Sequence, residues 1–181
     1  MNSNTGLEIV SLLSRIFSRS ADPREALRPL WHRVVEIARE PDWYAGGRIA
    51  DTVPGRFDAI TLVLSLVLLR MERDPKLTQA SVFLTELFVE DMDGQLRESG
   101  VGDVVVGKHM GRLMSVLGGR LGALREALAE AEDTQLIAAI ERNANFAEGG
   151  SPAEVAVDLR VLAGHLAALS DEALLAGEIA R

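Results

Sequence analysis

The chain has 181 residues, 48% hydrophobic and 25% charged, with a formal net charge of -8 and no cysteine. A single domain of this length buries roughly 70% of the surface its unfolded form exposes, so it needs no disulfide or structural metal, and the missing thiols exclude a zinc-thiolate or disulfide scaffold. The acidic balance argues against a DNA-binding role, and a makeup rich in Ala, Leu and Val with only 4% aromatics is that of an all-α protein.

In chain order, residues 7–17 place Ile9, Leu13, Ile16 and Phe17 at helical spacing with Glu8, Arg15 and Arg19 around them, which predicts an amphipathic helix rather than a secretory peptide. With the linker that follows, this segment forms an N-terminal unit of residues 1–21 ahead of one helical domain over 22–181. Asp22 and Pro23, with Glu25 as a return acceptor, predict a capped helix to about residue 40 whose apolar face is Leu27, Leu30, Trp31, Val34, Val35 and Ile37. Residues 42–53 read as an ordered connection, and Pro54 opens a central helix to about residue 73. Its stretch 60–69 is almost unbroken apolar sequence between Asp58 and Arg70, too short to span a bilayer and hydrophobic on all sides.

Asp74 and Pro75 repeat the cap signature before a helix presenting Leu77, Val82, Leu84, Leu87 and Phe88, which turns polar over 90–98 and stops at Gly100. Another helix begins near Asp103 and runs to about residue 131, with a bend expected at Gly118 and Gly119. A short helix over 134–142, a loop rich in Asn and Gly, and a capping box at Ser151 and Glu154 lead into a last helical region that Ser170 and Asp171 split. The whole reads as an irregular single-domain bundle of about six to eight helices around the central apolar one.

Motifs that would carry catalysis fall short. Gly102, Gly107 and Lys108 match the spacing of a phosphate-binding loop, but His109 stands where a magnesium-binding hydroxyl belongs and Val104, Val105 and Val106 replace the flexible loop. Asp91, Asp93 and Gly94 suggest a calcium loop whose remaining ligands are missing, because Val89 and Gly100 occupy the first and last positions. His32, His109 and His165 are scattered, although His32 and Glu36 share a helix face, and there is no nucleophile elbow. No catalytic residue, metal or cofactor is assigned.

What remains are polar, glycine-bearing segments that a plain bundle does not need. They are Trp43-Tyr44; the run from Asp51 through Thr52, Val53, Pro54, Gly55, Arg56 and Phe57 to Asp58; Asp91-Met92-Asp93; the run from Leu96 through Arg97 and Gly100 to Asp103; and Val106-Gly107-Lys108. In this order and spacing they resemble the signature of the ubiquinol-cytochrome c reductase chaperone family, the assembly factors for cytochrome b of the respiratory bc complex. The resemblance runs from about Asp22 to the C-terminus and includes Arg142-Asn143 and the closing Leu174-Leu175-Ala176-Gly177. It implies an all-helical, non-enzymatic chaperone that binds newly made cytochrome b, with the ribosome or the inner-membrane surface as a further contact. With no Arg-rich, acid-free leader, the chain resembles a bacterial, cytoplasmic member of the family. It departs from the family pattern at Ser65, Gly94 and Gly118.

A chaperone for membrane segments needs an apolar groove, and aromatic and Arg side chains dominate binding hot spots. Trp43, Tyr44 and Phe57, with Arg56 and Arg97, are therefore the leading partner contacts, joined by Asp51, Asp58, Asp91, Asp93 and Lys108. A competing reading puts Trp43 and Phe57 in the core and pairs Arg56 with Asp51 or Asp58. Lys108 and Arg112, one turn apart beside His109, read either as a patch for RNA or lipid headgroups or as a solvated face. Two further functions stand beside the chaperone: a helical carrier of a lipid or other small apolar ligand, and an enzyme using Asp91 and Asp93 as paired acids. The sequence leaves the oligomeric state open.

Overall fold

The computed structural model describes residues 22–98 and 103–180. Its seven described α-helices are α1 (Arg28–Ala38), α2 (Val53–Met71), α3 (Thr78–Glu98), α4 (Asp103–Ala129), α5 (Thr134–Asn143), α6 (Pro152–Ala168) and α7 (Asp171–Leu175). The helix expected within residues 7–17 and the glycines at 100 and 102 lie outside the described residues.

The starts of these helices follow from local chemistry. The Asp22 carboxylate accepts from the Arg24 backbone N–H at 2.9 Å, Asp74 accepts from the Lys76 N–H at 2.9 Å, and Ser151 and Ser170 accept from the N–H groups three residues on. Each satisfies a donor that the first turn of a helix leaves without a partner. Asp22 and Asp74 open short 3-10 turns, Pro23–Leu27 and Pro75–Leu77, before α1 and α3 begin. The return half of two expected capping boxes is absent because stronger partners are near: the Glu25 carboxylate accepts from Arg28, and Glu154 accepts from Arg48. The central helix is capped by the Thr52 hydroxyl rather than announced by Pro54 alone.

At the centre lies α2. Every residue from 58 to 68 is buried, as the unbroken apolar stretch predicts, and the helix packs on α1, α4 and α6, with α3 closing a further side. Its two buried hydroxyls are satisfied within the helix: Thr61 Oγ1 donates to the Phe57 carbonyl at 3.0 Å, and Ser65 Oγ donates to the Thr61 carbonyl at 2.6 Å. At its far end Arg70 donates to the Leu166 and Leu169 carbonyls at 3.1 and 2.8 Å and to Asp171 at 2.8 Å, so one cation satisfies carbonyls where α6 ends.

One detail corrects the sequence reading. Val82, assigned to the inner face of α3, is 45% exposed. The helix expected from Asp103 to about residue 131 runs through Gly118 and Gly119 and ends at Ala129. Among the described residues the extended contact consists of one antiparallel bridge, Ile49 with Phe146, flanked by Ala50 N–H to the Asn145 carbonyl at 2.8 Å and Ala147 N–H to the Arg48 carbonyl at 3.0 Å. Arg48 secures this strap from outside through Glu154 at 2.9 Å and Asp158 at 2.5 Å.

Candidate functional site

The strap over residues 48–52 crosses the first turn of α2 at Gly55, where an added Cβ would stand 1.9 Å from the Ala50 carbonyl oxygen. Only glycine admits that approach. It presses the start of α2 against the strap and fixes which side chains of the run 51–58 turn outward.

Arg56 turns outward. Its Nε donates to Asp51 Oδ1 at 2.7 Å, and its guanidinium lies 5.5 Å from the centre of the Tyr44 ring. The Asp51 carboxylate holds the Arg56 pKa above its ordinary value, while burial pushes the Tyr44 hydroxyl up and the Arg56 charge opposes that push. Tyr44 is anchored by donating to the Ala38 carbonyl at 2.6 Å. Asp51, Arg56 and Tyr44 thus form one surface cluster, with Arg56 and Asp51 both exposed.

Beside it opens a cleft of about 690 Å³ between α2, α3 and α4. Its apolar wall comes from Val53, Pro54, Phe57, Ile60, Met92 and Leu113. Arg39, Arg56, Gln95 and His109 also line it, and all four are exposed. Val53, at the mouth, is 84% exposed. A volume of this order is that of a ligand-binding cleft, and an exposed apolar face rimmed by polar groups is the form of an interaction site.

Phe57 is held from beneath. Its ring lies 6.4 Å from that of Phe88 and 5.7 Å from the Arg120 guanidinium. Arg120 is buried and paired with Asp58, which is buried in turn. The same cation donates to Thr61 Oγ1, and Asp58 Oδ2 accepts from the backbone N–H and side-chain amide of Asn145 at 2.8 and 2.6 Å. The Arg120 Nε carries no hydrogen bond. A buried ion pair offsets its desolvation only through such additional bonds, and here they join α2, α4 and the loop after α5 into one unit behind the cleft.

The structure therefore separates the sequence candidates. Arg56 and Phe57 line the cleft, with Asp51 and Tyr44 alongside. Trp43 is fully buried, donating its indole N–H to the Ile37 carbonyl at 2.7 Å, and Asp58 is committed to Arg120 and Asn145, so both support the surface from inside. Asp91 and Asp93 do not act as a pair: Met92 between them faces the cleft, Asp91 lines a polar groove with His32 and Glu36, and Asp93 lines a third groove with Val82, Val89 and Met114. Residues two apart on a helix face apart, which removes both the calcium loop and the paired-acid geometry. Asp93 accepts from Arg97 at 2.7 Å. Lys108 belongs to α4, as does Gly107, so the phosphate-loop spacing falls on a helix. Among the described residues no group of three His, Asp or Glu side chains could hold a metal ion.

Arg120 and Asn145 are the residues that sequence reasoning missed. Their signals, an Arg after two glycines and an Asn in a polar loop, are local and carry no trace of Asp58. The three departures from the family pattern are accommodated: Ser65 is bonded as above, and no neighbouring atom comes within 4 Å of a Cβ placed at Gly94 or Gly118.

Among the described residues no helix is long and apolar enough to cross a membrane. A comparison with curated proteins found no match. Among solved structures, the chain is similar to the crystal structure of the Cbp3 homolog from Brucella abortus, with 30% identity, a TM-score of 0.75 and 95% of each chain covered. Residues 47–181, which include the strap, the cleft lining apart from Arg39 and the buried Asp58–Arg120 pair, match the family described as Ubiquinol-cytochrome C chaperone. The chain belongs to the ubiquinol-cytochrome c chaperone family.

Proposed function

We propose that this protein is a non-enzymatic assembly chaperone that binds newly made cytochrome b and supports assembly of the ubiquinol-cytochrome c reductase complex, acting from the cytoplasm at the inner-membrane surface. The observation that carries the reading is the family match over residues 47–181. The cleft supports it: an apolar wall open to solvent at Val53 offers a client helix a place to hide its apolar face, and Arg56, Arg39 and His109 supply polar contacts at the margin. In this reading Tyr44, Asp51, Arg56 and Phe57 contact the client, Trp43 and Asp58 hold them in place, and Asp91, Asp93, Arg97 and Lys108 lie on the neighbouring helices as outer contacts.

The test is a reduced-minus-oxidised haem spectrum of membranes from a host lacking the gene, with other b-type and c-type cytochromes as internal controls. Selective loss of the bc complex signal, restored by the wild-type gene and not by Val53→Asp, is the expected result. An unchanged spectrum under respiratory growth overturns the reading. A second reading, a carrier of a small apolar ligand, is favoured by the cleft volume alone; it predicts a lipid that co-purifies with the wild-type protein and is lost from the Val53→Asp variant.

A further inference from the structure

Charge is segregated around Arg39, just past the end of α1. Its side chain lines two neighbouring hollows, the cleft and the polar groove between α1 and α3, and Gln95 lines both as well. Glu36, Glu90, Asp91 and Glu98 all line the groove, and none of them lines the cleft. In a chain of net charge -8, the cleft is thus built from apolar side chains, Gln95, His109 and two arginines, with no carboxylate in its lining.

The two arginines differ. Arg56 is matched by Asp51 at 2.7 Å. Arg39 makes no side-chain hydrogen bond and no ion pair with any described residue. Glu36, three residues before it, is taken by Arg33 at 3.2 Å, and Glu90 is taken by Arg24 at 2.9 Å. A ligand entering the cleft therefore meets an apolar wall, one unmatched guanidinium and the ring nitrogens of His109. A guanidinium fork fits a carboxylate with two parallel hydrogen bonds, and about 690 Å³ lies within the range of small-ligand sites.

We propose that the cleft binds a long-chain carboxylate, a fatty acid anion, with its tail along Phe57, Ile60, Met92 and Leu113 and its head on Arg39 and His109. Three observations carry this: an apolar wall for a hydrocarbon tail, a lining free of carboxylates in an acidic protein, and one cation without a partner for one negative charge. The proposal names a ligand rather than a client. It does not rest on the chaperone reading, because it is tested on the purified protein alone, whereas the haem spectrum tests that reading.

The probes are three amphiphiles of equal chain length, laurate, dodecyl maltoside and dodecyltrimethylammonium, titrated calorimetrically into the full chain below their micelle-forming concentrations. Laurate should bind at least roughly tenfold more tightly than either of the others, the factor for one charge-assisted hydrogen bond. The net charge of -8 favours the cation at any non-specific site, so this order is diagnostic of the cleft. Arg39 is exposed and its loss strands no partner, so Arg39→Gln should fold as wild type, weaken laurate roughly tenfold and leave dodecyl maltoside unchanged. Arg39→Glu should reverse the order of laurate and the cation. Equal affinities for the three heads, or a laurate affinity indifferent to Arg39→Gln, overturn the proposal. Absence of laurate binding also overturns it, because Arg39 then serves a group carried on another protein.

Discussion

Arg56 and Asp58 sit two residues apart at the head of the same helix, each in an ion pair, and the two pairs do opposite things. Asp58 and its partner Arg120 are both buried, bonded further to Thr61 and Asn145, and join three elements. Arg56 and Asp51 are about half exposed, bridge one short loop, and border an open apolar cleft. Removing one partner of a buried pair strands a charge in a medium that cannot solvate it, whereas an exposed pair exchanges its partner for water at little cost. The contrast divides the site: the inner pair fixes the position of Phe57, and the outer pair can exchange its partner for water or another polar group.

The largest effect that would break this contrast is Arg120→Met. It leaves the Asp58 carboxylate with only Asn145, and the expected loss is about 3–5 kcal/mol in denaturant unfolding. Adding Asp58→Asn should recover part of that loss, because the stranded charge is then gone; a strictly additive double variant would mean the pair does not couple. Next comes Gly55→Ala. Its methyl group must displace the Ala50 carbonyl, and overpacking against a backbone atom costs about 1–3 kcal/mol. Because the strap meets the helix head next to Arg56, this variant should lose stability and client binding together.

On the outer side, Arg56→Ala should lower stability by less than about 1 kcal/mol while weakening client binding, as measured by co-purification with cytochrome b. A large stability loss there would show that the two pairs are not different in kind. The smallest expected effect is at the start of the fold. Arg24 holds the Asp22 carboxyl from its ordinary 3.8 down to about 2, through side-chain and backbone hydrogen bonds. A depressed carboxyl contributes stability above its unfolded value, and that contribution is lost as pH falls through the folded one. Acid unfolding of Asp22→Asn should therefore differ from wild type mainly between about pH 4 and pH 2, and in the direction of a flatter profile.

Those features were unequally legible in the sequence. The caps at Asp22, Asp74 and Ser151, the split at Ser170 and the solid burial of residues 58–68 could be read, because a cap is a side chain bonding its own backbone and a run without polar breaks has no outward face. Trp43 misled because it follows Pro41 in a short 3-10 turn, outside any period, and what settles its place is an indole bond to Ile37. Val82 misled because α3 serves two surfaces, so its apolar residues do not form one stripe. Arg56 and Phe57 were found through their spacing in the run 51–58, yet the partner that holds Phe57 in place is Arg120, 63 positions away by residue number, and no local pattern points to it.

The bonds that close this fold all span long stretches of chain. Arg33 reaches the Ile179 carbonyl across 146 residues, Arg48 reaches Asp158 across 110, Arg70 reaches Asp171 across 101, and Asp58 reaches Asn145 across 87. A ribosome delivering this protein would have released α1 and α2 well before it supplied their partners, leaving three cations and one carboxylate waiting. Contacts of such separation form late and set the pace of folding. The cleft between α2, α3 and α4 thus cannot take its final form until residues beyond 140 have been made and have returned to close over the first half of the chain.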